Sequence, residues 1–182
     1  MSAFTHLTWI AALAIGASGI ARAASFDVDG AQLGMTQEAL QAKFGDKIVC
    51  TARAPSDTDP SQATCVNAVF SKKKTLSDTF AGQKTVIFYH ILDGHLARIS
   101  FLGFPSLAFD SVLQTMEATY GKAKVAVEEI RAMKKGKLVD KHATWRNDAG
   151  DVIIFDKYSP GNINYAYLNF YADSYRKRAG MD

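Results

Sequence analysis

The segment Thr85–Phe101 constrains the fold more than any other part of the chain. Two runs rich in β-branched and aromatic residues, Thr85–Leu92 and His95–Phe101, flank the dipeptide Asp93-Gly94. Both turn residues tolerate positive φ, so this pattern predicts a β-hairpin with a two-residue turn. The simplest register puts these pairs on one apolar face, which we expect to be the core face: Leu92 with His95, His90 with Ala97, Phe88 with Ile99, and Val86 with Phe101. The opposite face then carries Ile87, Tyr89, Ile91, Leu96, Arg98 and Ser100.

The N-terminal residues have the pattern of a signal peptide. Residues 7–20 are apolar or small, and Ala21-Arg22-Ala23 matches the small-x-small motif that a signal peptidase cleaves. The apolar run is shorter than the roughly 20 residues that a membrane span requires. We therefore expect residues 1–23 to be removed, leaving no stable membrane span, and the mature chain to be periplasmic, in a Gram-negative type of cell, or secreted.

The cysteine content agrees with export. Cys50 and Cys65 are the two cysteines of the chain, and an even, minimal number behind a signal peptide predicts one disulfide. The turn-forming residues Pro55–Ser61 lie between them. Removing residues 1–23 takes away Arg22 and no acid, which changes the net charge from +3 to +2. This balance does not favour nucleic acid as a partner.

Two helices are predicted, each ended by a glycine. Thr36 is suited to be the N-cap of a helix that runs to Phe44 and stops at Gly45. Ser106 is suited to cap the second helix, which stops at Gly121. The second helix has one apolar stripe toward a sheet, formed by Phe109, Val112, Leu113, Met116 and Tyr120.

The remaining periodic segments predict strands and a repeated order of elements. In addition to the hairpin, strands are predicted over 48–51, 66–71, 125–133, 138–146, 151–158 and 165–171, and residues 26–29 are either a short first strand or an ordered lead-in. The tail with Arg176, Lys177 and Arg178 is expected to fray. Each half, about 26–103 and about 104–175, has a capped helix followed by roughly four strands. We therefore predict that residues 24–182 form a single α+β domain of two tandem repeats, with one mostly antiparallel sheet and helices on one face.

The opening of the first repeat resembles a known family. The helix announced by Leu33-Gly34-Met35-Thr36 and closed by Phe44-Gly45 is similar to the start of SmpA/OmlA (BamE-like) domains. The tandem arrangement resembles the architecture of β-lactamase inhibitory protein. The second half has Ala118-Thr119-Tyr120-Gly121 without the Leu-Gly-Met-Thr opening, and no cysteine stands at the cleavage site as in BamE-like lipoproteins. The resemblance implies a non-enzymatic interaction scaffold.

The last predicted strand carries the candidate binding surface. Ala166, Leu168 and Phe170 should face the helices, which leaves a polar and aromatic set on the other side: Tyr165, Tyr167, Asn169 and Tyr171. This set was expected to be joined by Tyr158, Trp145, Tyr89 and Arg98. Tyrosine, tryptophan and arginine are enriched in binding hot spots, although aromatic residues also simply suit strands. Asp57 and Asp59, in the disulfide-tied loop, are candidates for an inserting element.

Signals for catalysis are weaker than those for binding. His90 and His95, with Asp93 between them, offer a metal or acid–base site, but the better interpretation is that His90 is a half-buried strand residue and His95 a residue next to the turn. Glu128 and Glu129 are adjacent, so on a strand they point to opposite faces. No nucleophile elbow and no phosphate-binding loop is present, and no cofactor is expected. The sequence thus predicts an exported protein-binding domain; the alternatives are an inhibitor or immunity protein against a secreted enzyme, or a small hydrolase or metal-binding protein.

Overall fold

The computed structural model of the protein describes residues 25–56, 59–132 and 136–181, so the predicted signal peptide lies outside the described residues. The helices are α1 Gln37–Phe44, α2 Ala68–Lys73, α3 Phe109–Tyr120 and α4 Asp173–Arg178. The strands are β1 Asp27–Val28, β2 Ala31–Gln32, β3 Ile48–Ala52, β4 Ala63–Asn67, β5 Asp78–Phe80, β6 Gln83–Leu92, β7 His95–Leu102, β8 Lys124–Ala132, β9 Gly136–Arg146, β10 Val152–Asp156 and β11 Tyr167–Tyr171. The predicted α+β class is confirmed.

The main sheet is antiparallel throughout its described pairs. Its strand order is β3-β4-β6-β7-β11-β10-β9-β8, with β5 attached to β6, while β1 and β2 form a small separate ribbon. Each half of the chain supplies one up-and-down set of strands, and the last strands of the two sets, β7 and β11, pair in the middle. The prediction of one mostly antiparallel sheet is therefore confirmed.

Helices α1 and α3 cover one side of this sheet, here called the back face. The N-cap is confirmed at Thr36, whose Oγ1 accepts a hydrogen bond from the Ala39 amide. The apolar stripe of α3 is also confirmed, because Phe109, Val112 and Met116 are fully buried. Phe109 stacks on Phe155 of β10 with ring centroids 4.4 Å apart.

The expected cap of α3 is wrong. Ser106 lies in a 3-10 turn, Ser106–Ala108, that precedes the helix. Its hydroxyl donates to the Ile163 carbonyl at 2.9 Å instead of accepting from the first turn of α3. The side chain therefore ties the start of this helix to the loop before β11.

The hairpin turn is confirmed, but its register changes two residues beyond the turn. Asp93 and Gly94 both have positive φ, and Leu92 pairs with His95 as predicted. A β-bulge at Ala97 then places His90 opposite Arg98 and Tyr89 opposite Ile99. An extra residue on one strand turns every later side chain of that strand to the other face. The predicted pairs of His90 with Ala97, Phe88 with Ile99 and Val86 with Phe101 are consequently wrong. The expected core face of β6 is wrong as well, because Ile87, Tyr89 and Ile91 face the helices and Phe88 and His90 lie on the other side.

The expectation that helices cover one face is also wrong. The segment predicted as a strand over 66–71 continues β4 only to Asn67 and then forms α2, because the Asn67 side chain caps this helix by accepting from the Val69 amide. Phe70 of α2 contacts Phe88 edge to face on the side of the sheet opposite to α1 and α3, here called the front face. The tail that was expected to fray forms α4, in which Tyr175 is buried on the same front face.

The predicted disulfide is confirmed between Cys50 and Cys65, which are paired neighbours on β3 and β4. None of the helices in residues 25–56, 59–132 and 136–181 has the length and apolar character needed to cross a bilayer.

Replacing both cysteines by alanine tests the contribution of the disulfide. It closes a loop with a sequence separation of 15 residues, and the chain-entropy relation then gives about 3 kcal/mol of stabilisation. We expect the double variant to lose about 3 kcal/mol of unfolding free energy in urea titrations followed by tryptophan fluorescence. Reduction of the wild-type protein should reproduce this loss, and unchanged stability in both experiments would contradict it.

Candidate functional site

The central strands bring a row of polar side chains together on the front face. Cα pairing places Thr64, His90, Arg98 and Tyr171 side by side across β4, β6, β7 and β11. The next row contains Val66, Phe88, Ser100 and Asn169. Because paired residues share a face, both rows project away from the helical core. The alternation predicted for β11 is confirmed, with Leu168 and Phe170 in the core and Asn169 and Tyr171 on the front face.

The loop between the cysteines folds over the first of these rows. Asp59 accepts hydrogen bonds from the Ser61 hydroxyl at 2.6 Å and the Tyr175 hydroxyl at 2.9 Å through Oδ1. Its Oδ2 pairs with Arg53 at 2.7 Å and lies 3.9 Å from His90 and from Arg98. Asp59 is therefore turned into the protein, so its predicted role in an inserting loop is wrong. Asp57, the other residue of that prediction, lies outside the described residues.

This enclosure shifts the protonation of two groups. Burial alone would raise the pKa of Asp59, but hydrogen bonds from Ser61 and Tyr175 outweigh it and lower that pKa to about 2. Burial and the charge of Arg98 lower the pKa of His90 to about 3, although the Asp59 carboxylate opposes this shift. At neutral pH the network therefore contains a carboxylate and a neutral imidazole.

Arg98 connects this network to the open part of the front face. Its Nε donates to Asn169 Oδ1 at 2.9 Å, and its Nη1 donates to the Tyr175 hydroxyl at 3.2 Å. The guanidinium also lies over the rings of Tyr171 and Tyr175, 5.4 and 5.8 Å from their centroids. Arg98 is therefore a largely buried cation that donates hydrogen bonds to Asn169 and Tyr175. Its nearest described carboxylate, Asp59, is shared with Arg53.

Next to Arg98 the front face opens into a cavity of about 640 Å³, here called the front groove. Its floor is formed by side chains of β6, β7 and β11: Phe88, Arg98, Ser100, Tyr167 and Asn169. Its walls are formed by Leu76, Leu102 and Gly103 on one side and by Ser159, Asn162 and Tyr165 on the other. Leu76, Leu102 and Tyr165 are each more than 40% exposed, so the walls present apolar surface to solvent.

The floor of the front groove contains an unpaired donor. Asn169 is 1% exposed, and its Oδ1 is fixed as the acceptor because its partner, Arg98 Nε, can only donate. Its amide nitrogen Nδ2 makes no hydrogen bond within the described part of the chain. A buried N–H without an acceptor costs about 1–3 kcal/mol. An acceptor oxygen of a ligand could pair with this nitrogen only by entering between the side chains that now bury it.

The structure separates the residues that were expected to share the aromatic face. Tyr165, Tyr167, Asn169 and Arg98 line the front groove. Tyr171 is on the same face but 1% exposed, since Tyr175 covers it and Tyr167 hydrogen bonds to its hydroxyl at 2.7 Å.

The placement of Tyr89 and Trp145 on this face is wrong. The bulge at Ala97 leaves Tyr89 on the back face against Phe44 of α1. Trp145 is also buried on the back face, where its Nε1 donates to the Gly121 carbonyl at the end of α3. Tyr158 lies outside the front groove, in a neighbouring hollow, with Lys157 over its ring.

The two histidines singled out in the hairpin have separate environments. His90 is buried, and its Nε2 hydrogen bonds to Ser100 Oγ at 2.8 Å. His95 is exposed, and its Nδ1 contacts the Asp93 carbonyl at 2.9 Å. Neither belongs to a group of three metal-ligating side chains in the described parts of the chain.

A second titratable cluster surrounds His142 in β9. Its ring nitrogens contact Asp156 at 2.9 Å and Glu128 at 3.2 Å, with Asp140 3.7 Å away. Sequence reasoning did not find this cluster, although the Asp140-x-His142 spacing on a strand was a usable signal. The expectation that Glu128 and Glu129 diverge is confirmed, since Glu129 pairs with Lys137 instead.

Comparisons with known proteins add no assignment: no family model matches the sequence, and neither a curated protein nor a solved structure matches it significantly.

The depressed pKa of His90 predicts acid sensitivity. Above pH 6.5 the imidazole is neutral in both states and the stability is complete. Below pH 6.5 the imidazole of the unfolded state becomes protonated, whereas that of the folded state stays neutral down to about pH 3. The unfolding free energy therefore decreases as the pH falls, by at most about 1.4 kcal/mol per pH unit.

His90→Gln should flatten this dependence between pH 6.5 and 4.5, as measured by urea midpoints. His95→Gln, which changes an exposed histidine, is the matched control and should retain the wild-type slope. Equal slopes in the wild type and His90→Gln would show that His90 does not titrate in this way.

Proposed function

We propose that this chain is an exported protein-binding domain that takes a segment of a partner protein into the front groove. The observation that carries the proposal is the combination of apolar walls with a buried, unpaired donor on the floor. Leu76, Leu102 and Tyr165 supply the exposed apolar surface. Asn169 Nδ2 supplies the donor. Exposed apolar surface of this kind usually marks an interaction site.

The chemistry of the floor defines what the partner segment should present. Arg98 is largely buried with no carboxylate hydrogen-bonded to it in the described residues, and Asn169 lacks an acceptor beside it. A carboxylate on the partner would satisfy both groups, since charge-assisted hydrogen bonds are the stronger kind. An adjacent apolar side chain would pack against Leu76, Leu102 and Tyr165. Tyrosine and arginine are also the residue types that most often carry interface energy.

The proposal also includes export of the chain and its organisation as two tandem units. Export is supported by the signal-like residues 7–23 and by the disulfide, which persists in oxidising compartments. The tandem organisation is supported by the order of elements, because α1 precedes β3–β7 and α3 precedes β8–β11. Two such units joined through β7 and β11 would suit the interaction scaffolds that the sequence resembles. The front groove then lies where the two halves meet.

Photo-crosslinking from the groove wall tests the proposal. p-Benzoyl-phenylalanine at position 165, which is 46% exposed, should crosslink to one partner in cells that export the protein. The same group at position 107, which is 96% exposed and outside the groove, should not crosslink to that partner. Mass spectrometry should map the crosslink to a segment with an apolar residue next to a carboxylate. Equal crosslinking from both positions would contradict the proposal.

The affinity of a synthetic peptide with the sequence of the crosslinked segment then tests binding in the front groove directly. Tyr165→Ser should weaken its binding by at least about tenfold, the effect of losing one aromatic interface contact of about 1.4 kcal/mol. Replacing the carboxylate of the peptide by an amide should have a similar effect. Leu107→Ser is the matched control and should bind like the wild type in isothermal titration calorimetry. A peptide that binds both variants equally would exclude the front groove.

A further inference from the structure

The cluster around His142 lies on the front face of the second half, away from the residues of the front groove. Asp140 and His142 are two residues apart on β9, so their side chains share a face. Cα pairing places Glu128 of β8 opposite Asp140 and Asp156 of β10 opposite His142. Three neighbouring strands therefore present three carboxylates around one imidazole.

The ligand atoms of this cluster converge on one point. One oxygen each from Glu128 and Asp140 and one ring nitrogen of His142 lie within 4.8 Å of one another. The nitrogen, Nε2, is 3.2 Å from Glu128 Oε1 and 3.7 Å from Asp140 Oδ2. Ligands at about 2.0–2.2 Å from a tetrahedral zinc ion are about 3.3–3.6 Å apart. The two separations from Nε2 are close to this spacing, and the two carboxylate oxygens lie within 4.8 Å of each other.

The fourth residue of the cluster orients the imidazole. Asp156 Oδ1 is 2.9 Å from His142 Nδ1, and a carboxylate can only accept, so Nδ1 carries a proton. In the neutral ring the lone pair then lies on Nε2, facing the oxygens of Glu128 and Asp140. Three electron-rich atoms facing one another repel unless a proton on Nε2, which would then donate to Glu128, or a metal ion lies between them. A carboxylate on the outer ring nitrogen is also the usual partner of a metal-bound histidine.

Asp140 is the most enclosed carboxylate of the three candidate ligands. Its side chain is only 9% exposed, and its Oδ1 accepts from the Lys141 amide. Its Oδ2 is directed at His142 Nε2 and makes no hydrogen bond within the described residues. A buried carboxyl group is normally hydrogen-bonded, paired or bound to a metal, and the partner that Oδ2 has here is His142, itself a candidate ligand.

The neighbouring lysines do not neutralise the cluster. Lys141 pairs with Asp110 at 2.7 Å, and Lys137 pairs with Glu129 at 2.7 Å. Even with a proton on each nitrogen of His142, one positive charge faces three carboxylates. A doubly charged ion compensates this excess, and a histidine nitrogen with two carboxylate oxygens is a ligand set that zinc accepts.

We propose that Glu128, Asp140 and His142 bind a divalent metal ion of the zinc class, with Asp156 orienting His142. A hollow of about 600 Å³ beside Asp140, His142 and Asp156 gives the ion access to solvent and leaves a coordination position for water or another exchangeable ligand. The bound ion links β8 to β9, and Asp156 connects the site to β10 through His142. This site is independent of the proposed function of the front groove.

Titration of the purified mature chain with zinc chloride tests this site. Isothermal titration calorimetry should show one zinc ion bound per chain in the wild type. Glu128→Gln and His142→Ala should each weaken binding by at least about tenfold, since each removes one direct ligand, and Asp156→Asn by about 10–100-fold. Glu128 is 60% exposed, so its substitution preserves the fold and keeps the test valid if another variant fails to fold.

Glu129→Gln is the matched control, because this carboxylate is the next residue on β8 but faces away from the cluster toward Lys137. It should bind zinc like the wild type. Zinc should also raise the melting temperature of the wild type and of Glu129→Gln, but not that of His142→Ala. Absence of saturable binding by the wild type, or wild-type affinity in both Glu128→Gln and His142→Ala, would overturn the proposal.

Discussion

The pairing of β7 with β11 is the constraint on which the rest of the structure depends. It joins the two sets of strands through three residue pairs, Ser100 with Asn169, Ile99 with Phe170 and Arg98 with Tyr171. The middle pair faces the helical core, and the outer two face the front. The same short contact therefore closes the core, where Phe170 touches Phe26 and Tyr120, and builds the floor of the front groove. A shift of one residue in this register would exchange the two faces.

The bulge at Ala97 allows β7 to place apolar side chains in the core and Arg98 on the front face. Without it, Arg98 would lie beside Tyr89 on the core face, where no carboxylate or water could compensate its charge. With it, Arg98 lies on the front face beside His90. Ala97 is the extra residue of the bulge and has no paired residue on β6. Its carbonyl accepts a hydrogen bond from the Ala172 amide at the start of α4. The irregularity thus also positions the helix that covers Tyr171.

The front face has two electrostatic regions with opposite excess charge. Around the first, Arg53 and Arg98 face the single carboxylate of Asp59, and His90 stays neutral. Around the second, three carboxylates face His142. The first region is enclosed by α4 and by the loop that Gln62 ties to Asp93. The second lies on β8–β10, where Glu128 remains exposed. One face of the sheet therefore carries a region with excess positive charge and a region with excess negative charge.

Local patterns were sufficient for several interactions within a few residues of the chain, but not for the caps at Asn67 and Ser106. Thr36 and Gly45 bound α1, the stripe of α3 is buried, and Asp93-Gly94 forms the turn, because capping, helical periodicity and positive φ are properties of short segments. The alternation along β11 was also readable, so Tyr165, Tyr167 and Asn169 were found as candidates.

The elements that cover the front face, α4 and the loop between the cysteines, are placed by contacts between segments that are distant in the sequence. The hydrogen bonds from Tyr175 to Asp59 and from Arg98 to Tyr175 join residues that are 116 and 77 positions apart in the sequence. A local sequence pattern cannot predict such contacts. The cluster at His142 likewise needs three strands in one register. The sequence by itself therefore determined most of the elements, the hairpin turn and the inward side of the last strand, β11. The tertiary structure decided the bulge, the covered part of the front face and both sites, because these depend on which strands become neighbours and with what offset.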